Sequence, residues 1–564
     1  MEALDWLVIG VFFLALIGII VWVVRQKQND SADYFLGGRD ATWLAIGASI
    51  FASNIGSEHL IGLAGAGASS GMAMAHWEIQ GWMILILGWV FVPFYTRSMV
   101  YTMPEFLERR YNPQSRTILS VISLVSYVLT KVAVTVYAGG LVFQQVFGIK
   151  ELWGIDFFWI AAIGLVVLTA LYTIFGGMKS VLYTSVLQTP ILLLGSLIIL
   201  VLGFKELGGW DEMMRVCGAV TVNDYGDTMT NLIRSNDDAN FPWLGALIGS
   251  AIIGFWYWCT DQFIVQRVLS GKNEMEARRG TIFGAYLKLL PVFLFLIPGM
   301  IAFALHQKYI GAGGEGFLPM LANGTANADA AFPTLVAKLL PAGVKGLVVC
   351  GILAALMSSL ASLFNSSAML FTIDFYKRFR PETPEKKLVG IGQVATVVIV
   401  ILGILWIPIM RSVGDVLYTY LQDVQSVLAP GIAAAFLLGI SWKRTSAQGG
   451  MWGLIAGMVI GLTRLGAKVY YSNAGEVADS TFKYLFYDMN WLFFCGWMFL
   501  FCIIVVIVVS LATKAPTAEK IQGLVFGTAT KEQKAATRAS WNHWDIIHTV
   551  IILAITGAFY WYFW

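Results

Sequence analysis

The chain has 564 residues, 58% of them hydrophobic and only 13% charged, with a mean hydropathy of +0.72. A water-soluble domain carries about a quarter charged residues, so this composition excludes one. The formal net charge of +3 is too small to hold a nucleic-acid partner.

A helix needs about 20 mostly apolar residues to cross the hydrocarbon core. In chain order such stretches run roughly over 4–24, 42–72, 77–96, 117–147, 154–175, 180–204, 241–266, 280–306, 345–376, 388–410, 413–440, 446–470, 489–513 and 545–563. The expected fold is therefore all-α and polytopic, with 14 spans. The first residues lack the basic region of a cleaved signal, so the first stretch is expected to remain as a membrane helix. All the cysteines except Cys217 fall in or beside apolar stretches, and no CxxC pair suggests zinc or redox chemistry.

Numbering the connections alternately places most basic residues on the side opposite the N-terminus, among them Arg109, Arg110, Arg278, Arg279, Lys377, Arg378, Lys386 and Lys387. The positive-inside rule makes that side cytoplasmic. Both termini are then extracellular or periplasmic, in a plasma (inner) membrane.

Two stretches read as interrupted. The first carries Ser53 to His59 in its middle, and the second carries Tyr257 to Gln262. Each opens a set of five spans, over 42–204 and 241–440. Five is odd, so the second set enters the membrane from the opposite side. Paired broken helices in two opposed sets point to an inverted-repeat transporter with its site at the midplane. The rest divides into an N-terminal helix and linker (1–41), an extracellular loop (205–240) and C-terminal helices (441–564).

Charged groups inside a span cost about 2.5–3.5 kcal/mol each on insertion scales. The candidates are Glu58, Glu78, Lys131, Asp261, Lys288 and Asp423. Lys131 and Asp423 read as buried structural pairs or snorkelling groups. Glu78 and Lys288 sit near polar and aromatic neighbours and together offer the acceptor and donor that a neutral polyhydroxyl ligand needs. His59 reads as a hydrogen-bonding group rather than a proton relay, since no chain of titratable residues leads from it. Tyr257 and Trp258 read as packing residues that could also stack on the apolar face of a pyranose. Ala355, Ser358 and Ser359 share one helical face. Two hydroxyls facing the opened carbonyls of a broken helix suit a hard monovalent cation. No Walker loop or HExxH motif is present, so neither an enzyme nor an ATP-driven pump is expected.

Several runs carry a resemblance: DYFLGG (33–38), ASNIGSEH (52–59), MPEF (103–106), YWCTDQ (257–262), VQR (265–267), YLK (286–288), MSSLASLFN (357–365) and FTIDFY (371–376). In these the chain resembles the sodium/solute symporter family, in its sodium/glucose cotransporter branch. The resemblance implies a LeuT-like core of 5+5 helices, with one extra N-terminal and three extra C-terminal helices. It implies co-transport of sodium with a hexose-like sugar, glucose or galactose, by alternating access. The implied sugar site uses Asn54, His59, Glu78, Tyr257, Trp258, Lys288 and Gln422. The implied gates are Tyr257 on the inner side and Leu63, Trp77 and Tyr418 on the outer. The implied sodium site takes the carbonyls of Ala52, Ile55 and Ala355 and the hydroxyls of Ser358 and Ser359.

Four positions depart from the family pattern. Ser185 stands where the family motif has an aspartate, and Ala361 where members coupling a second sodium carry threonine. Gly254 and Gly81 stand where a bacterial relative has asparagine and serine. One sodium per solute is the expectation. Myo-inositol or another small solute, and an uncoupled sugar sensor, remain alternatives.

Overall fold

The computed structural model describes residues 1–26, 30–56, 58–321, 324–410, 417–473 and 479–564, except for the side chains of 129, 130, 145, 406, 409, 410, 417–421, 472 and 473. Among the described residues, eleven helices are long and apolar enough to cross a membrane. Two shorter apolar helices, Trp43–Asn54 and Ala133–Gln144, accompany them. The protein is a helical, multi-pass membrane protein. The physical reason is that lipid offers no partner to a backbone N–H or C=O, so each segment satisfies its own by helix formation.

The helix Val344–Met369 lies at the centre. Every residue from Val348 to Met369 except Leu353 is buried, as expected for a helix that is apolar all round. The helix Ala3–Arg25 is peripheral, with Leu7, Leu14 and Ile17 more than half exposed on its outer face. It is fastened to the central helix through Asp5, which is itself buried. The Asp5 carboxylate accepts the N–H groups of Gly343 at 2.7 Å and Gly346 at 2.8 Å. Those donors lie at the start of the central helix, which its own backbone cannot satisfy.

Both expected helix breaks are present. Trp43–Asn54 stops, Ile55 is extended (φ −79°, ψ 106°), and the chain resumes as a wide turn over Glu58–Leu63 and the helix Ala64–Ser70. Trp243–Gly254 widens over Phe255–Thr260, breaks at Asp261 (ψ 129°), and continues as Gln262–Leu269. Asp261 caps the second half by accepting the Phe263 N–H at 3.3 Å, as a short acceptor at a helix start does. Of the long connections, 205–240 holds the helix Trp210–Gly218, 307–344 holds Ala331–Leu339, and 514–544 holds Lys531–Ala539. The five cysteines are buried and free.

The stretches 154–175 and 180–204 join into one helical run, Phe157–Leu207, of 51 residues. At 1.5 Å per residue it would span about 77 Å if straight, far beyond a hydrocarbon core of about 30 Å. It is not straight. Gly177 adopts φ 51°, ψ −146° and kinks it. A Cβ at Gly177 would also run into the Tyr34 carbonyl oxygen. Gly177→Ala should therefore impose at least about 1–3 kcal/mol of backbone strain and lower the melting temperature in detergent. Gly164→Ala, in the same run with nothing within 4 Å of its Cβ, should not lower it. Equal melting temperatures for the two variants would count against the kink as a structural requirement.

Candidate functional site

The first helix break faces the central helix. The Ser53 and Ser362 hydroxyls share a hydrogen bond of 2.6 Å, which ties the end of Trp43–Asn54 to Val344–Met369. Ser362 lies three and four residues beyond Ser359 and Ser358, so the three hydroxyls share a face. Ser358 and Ser359 are buried. Ser358 Oγ lies 3.3 Å from Ser185 Oγ, and Tyr172 donates to the Met357 carbonyl at 2.9 Å. The last carbonyls of a helix lack partners within it, and here they belong to Ala52 and its neighbours. The free carbonyls of the first break and the hydroxyls of Ser358 and Ser359 thus lie on two helices that the Ser53–Ser362 bond ties together. Such a set suits a hard monovalent cation.

Next to it is a cavity of about 60 Å³, far below the 300–1,000 Å³ of open ligand clefts. Its walls must move apart before a solute the size of a sugar can enter. Asn54, His59, Glu78, Tyr257, Trp258, Lys288 and Gln422 all line it, together with Trp77 and Ser359. Residues remote in sequence are brought together by the two broken helices and by Glu274–Lys288, whose last residue is Lys288.

The electrostatic centre is the pair Glu78–Lys288. Lys288 Nζ lies 2.6 Å from Glu78 Oε2 and donates to Asn54 Oδ1 at 3.1 Å. His59 Nε2 is 3.4 Å from the same Glu78 oxygen. Asn54 Nδ2 donates to the Tyr257 hydroxyl at 3.1 Å. Apart from His59 Nε2, which faces Glu78, three buried polar atoms on the cavity wall have no hydrogen-bond partner among the described residues: His59 Nδ1, Trp77 Nε1 and Gln422 Oε1. Buried polar atoms are rarely left so, and these three offer both donor and acceptor character to an occupant.

A second buried pair lies beside Tyr257. Lys131 Nζ is 2.9 Å from Asp261 Oδ2 and 4.6 Å from the ring centres of both Tyr257 and Phe263. Tyr127 donates to the other Asp261 oxygen. The expected structural pairing of Lys131 is thus seen, but the residue also lines the cavity. Asp423 pairs with Lys468, away from the cavity wall.

Of the expected gates, Tyr257 and Trp77 line the cavity. Trp77 stacks on Trp491 (centroids 5.5 Å apart, planes at 21°) and meets Phe241 edge-on. Leu63 is fully buried but is not on the cavity wall. The side chain of Tyr418 lies outside the described residues. The wall also contains Gln80, Thr135, Phe263 and Gln425, which sequence reasoning missed. Only Gln80 gave a signal, as a second polar residue two positions after Glu78 in an apolar stretch.

Residues 34–457 match the model of the Sodium:solute symporter family. Over 542 residues the chain is 36% identical to sodium/myo-inositol cotransporter 2 of Mus musculus, covering 94% of this chain and 80% of the relative. The chain belongs to the sodium:solute symporter family. It is a sodium-coupled solute symporter and not an enzyme, with sodium as the co-transported ion. It is also 36% identical over 537 residues to sodium/glucose cotransporter 4 of Danio rerio, covering 92% of this chain and 80% of that one. Among solved structures, a substrate-bound, outward-open Na+-coupled sialic acid symporter matches with a TM-score of 0.72 at 21% identity, over 92% of this chain and 99% of that chain. This last likeness concerns the fold alone.

The buried pair makes a direct energetic prediction for this symporter. Removing one partner of a buried ion pair costs about 3–5 kcal/mol, whereas replacing both is close to neutral. Lys288→Met alone should lower the melting temperature in detergent, and adding Glu78→Gln should restore most of it. A double variant no more stable than Lys288→Met would show that the pair does not act as a unit.

Proposed function

We propose that the protein carries a neutral, ring-shaped polyol, either a hexose such as glucose or galactose or myo-inositol, together with one sodium ion. The observation that carries this is the combination of unpartnered His59, Trp77 and Gln422 atoms with the Glu78–Lys288–Asn54 cluster and the Tyr257–Trp258 aromatic pair. Hydroxyls both donate and accept, so a polyol satisfies mixed orphan groups that a purely anionic or cationic solute would not. The aromatic faces suit the apolar face of a six-membered ring. Relatives named for myo-inositol and for glucose share the same 36% identity with this chain, which supports the class and leaves both members within it.

In this reading Asn54, His59, Glu78, Tyr257, Trp258, Lys288 and Gln422 bind the solute. Tyr257 closes it from inside, and Trp77, Leu63 and Tyr418 from outside. The Ala52, Ile55 and Ala355 carbonyls and the Ser358 and Ser359 hydroxyls bind sodium. Fourteen crossings, built as two opposed sets of five with one helix before and three after, place both termini outside a plasma membrane. Alternating access then opens the contracted cavity to each side in turn.

The test is uptake into proteoliposomes under an inward sodium gradient, against a panel of glucose, galactose, myo-inositol, an amino acid and a carboxylate. Uptake of one or more of the polyols is expected, and it should vanish without sodium. Uptake confined to the amino acid or the carboxylate, or uptake indifferent to sodium, would overturn the reading.

Stoichiometry follows from the donor set. Ser185 brings a hydroxyl and Ala361 no polar atom to the positions that would complete a second site. One sodium crossing 100 mV releases about 2.3 kcal/mol, and a tenfold concentration ratio adds about 1.4. Together they support roughly a 500-fold accumulation, a limit that two ions would square. Ser359→Ala should sharply weaken sodium activation. The voltage at which net solute flux vanishes should fit one ion per solute, and a value fitting two would refute the single site.

A further inference from the structure

Gln80 lies in the cavity wall, buried, with both ends of its amide engaged. Its Oε1 accepts the Trp258 indole N–H at 3.2 Å, and its Nε2 donates to the Ser250 carbonyl at 2.8 Å. The two bonds fix the amide orientation, because turning it over would set N–H against N–H and oxygen against oxygen. The space it fills exists because residue 254 is glycine. A Cβ on Gly254 would stand 2.5 Å from Gln80 Oε1, closer than any real contact.

The consequence falls on Trp258. An indole has one hydrogen-bond donor and no acceptor, and here that donor is spent on Gln80. Trp258 therefore offers the cavity only ring surface. That ring meets Tyr257 edge-on, with centroids 4.9 Å apart and planes at 88°. Lys288 Nζ sits 5.3 Å over its centre. The Gln80 bond thus holds the indole where it touches both the aromatic and the charged parts of the wall.

We propose that Gln80 is a positioning residue for Trp258, seated in the space that Gly254 leaves, and that it sets solute preference by turning an apolar ring face into the cavity. This rests on the reading of the cavity as the solute site. Gln80 touches Trp258, and its influence on the solute runs through that ring. Solutes with an apolar ring face gain from this arrangement, and open-chain polyols do not.

Gln80→Met keeps the length of the side chain and removes both bonds. In reconstituted full-length protein it should raise the KM for myo-inositol, or for whichever hexose is carried, about tenfold, the effect of one buried hydrogen bond. KM should move more than maximal velocity, and uptake should remain sodium-dependent. In a Trp258→Phe background, which lacks the indole N–H, Gln80→Met should add little, because residues acting through one another are not additive. Gly254→Ala should mimic Gln80→Met by displacing the amide. An additive double variant would overturn the proposal.

A second readout needs no solute. In protein labelled with 5-fluorotryptophan, the 19F resonance of Trp258, identified by its loss in Trp258→Phe, should shift in Gln80→Met. An unmoved resonance would equally overturn the proposal. If the wild-type protein carries no polyol, the substrate reading fails, while the resonance still decides the role of Gln80.

Discussion

The constraint on which the structure depends is that hydrocarbon cannot hydrogen-bond a peptide group. A helix that stops inside the membrane must therefore stop where protein or a polar cavity receives its free ends. Both stops in this chain obey this. The end of Trp43–Asn54 meets the serine face of the central helix through Ser53 and Ser362. The start of Gln262–Leu269 is received by Asp261, whose second oxygen is held by Lys131. The carbonyls released at the first stop are neutral oxygen donors, and the polar wall of the cavity stands beside them. Free backbone groups and polar cavity wall thus share one interruption, and their adjacency follows from a backbone necessity.

Charge is handled in the same economical way. Glu78 faces Lys288, Asp261 faces Lys131, and Asp423 faces Lys468. Each pair limits the penalty of burying an ion. They differ in what surrounds them. Lys131 is enclosed by aromatic rings, while Lys288 divides its protons between Glu78 and the neutral Asn54. Exchange of Asn54 for another neutral acceptor would leave neither charge bare, since Glu78 still faces Lys288.

Much of this was legible in the sequence, for reasons specific to each element. Spans such as Ala3–Arg25 and Trp491–Ala512 announce themselves by unbroken hydropathy, and the two breaks by polar residues in apolar runs. The break at Asp261, with Tyr257 and Trp258 still helical before it, could not be placed exactly. The widened turns over Glu58–Leu63 and Phe255–Thr260 leave no mark on composition, since the same residues serve a tighter helix equally well. The bond between Lys131 and Asp261 joins residues from different spans, and nothing in either stretch names its partner. Gln80 was overlooked because a glutamine beside a buried glutamate reads as part of the same polar patch. Only its contacts with Trp258 and Ser250 give it a separate identity.

Trp491 lies beyond residue 457, where the match to the family model ends, yet its ring is stacked on Trp77 in the cavity wall. The cavity wall in this protein therefore also leans on a helix outside the segment that the family model matches. An appended helix supplies the backing of one wall, as a buttress supplies the stiffness of a thin panel. Substitutions in that helix can change the support of the wall without replacing a residue that lines the cavity. Transplanting the shared segment onto a foreign C-terminal helix would preserve its chemistry and alter its mechanics.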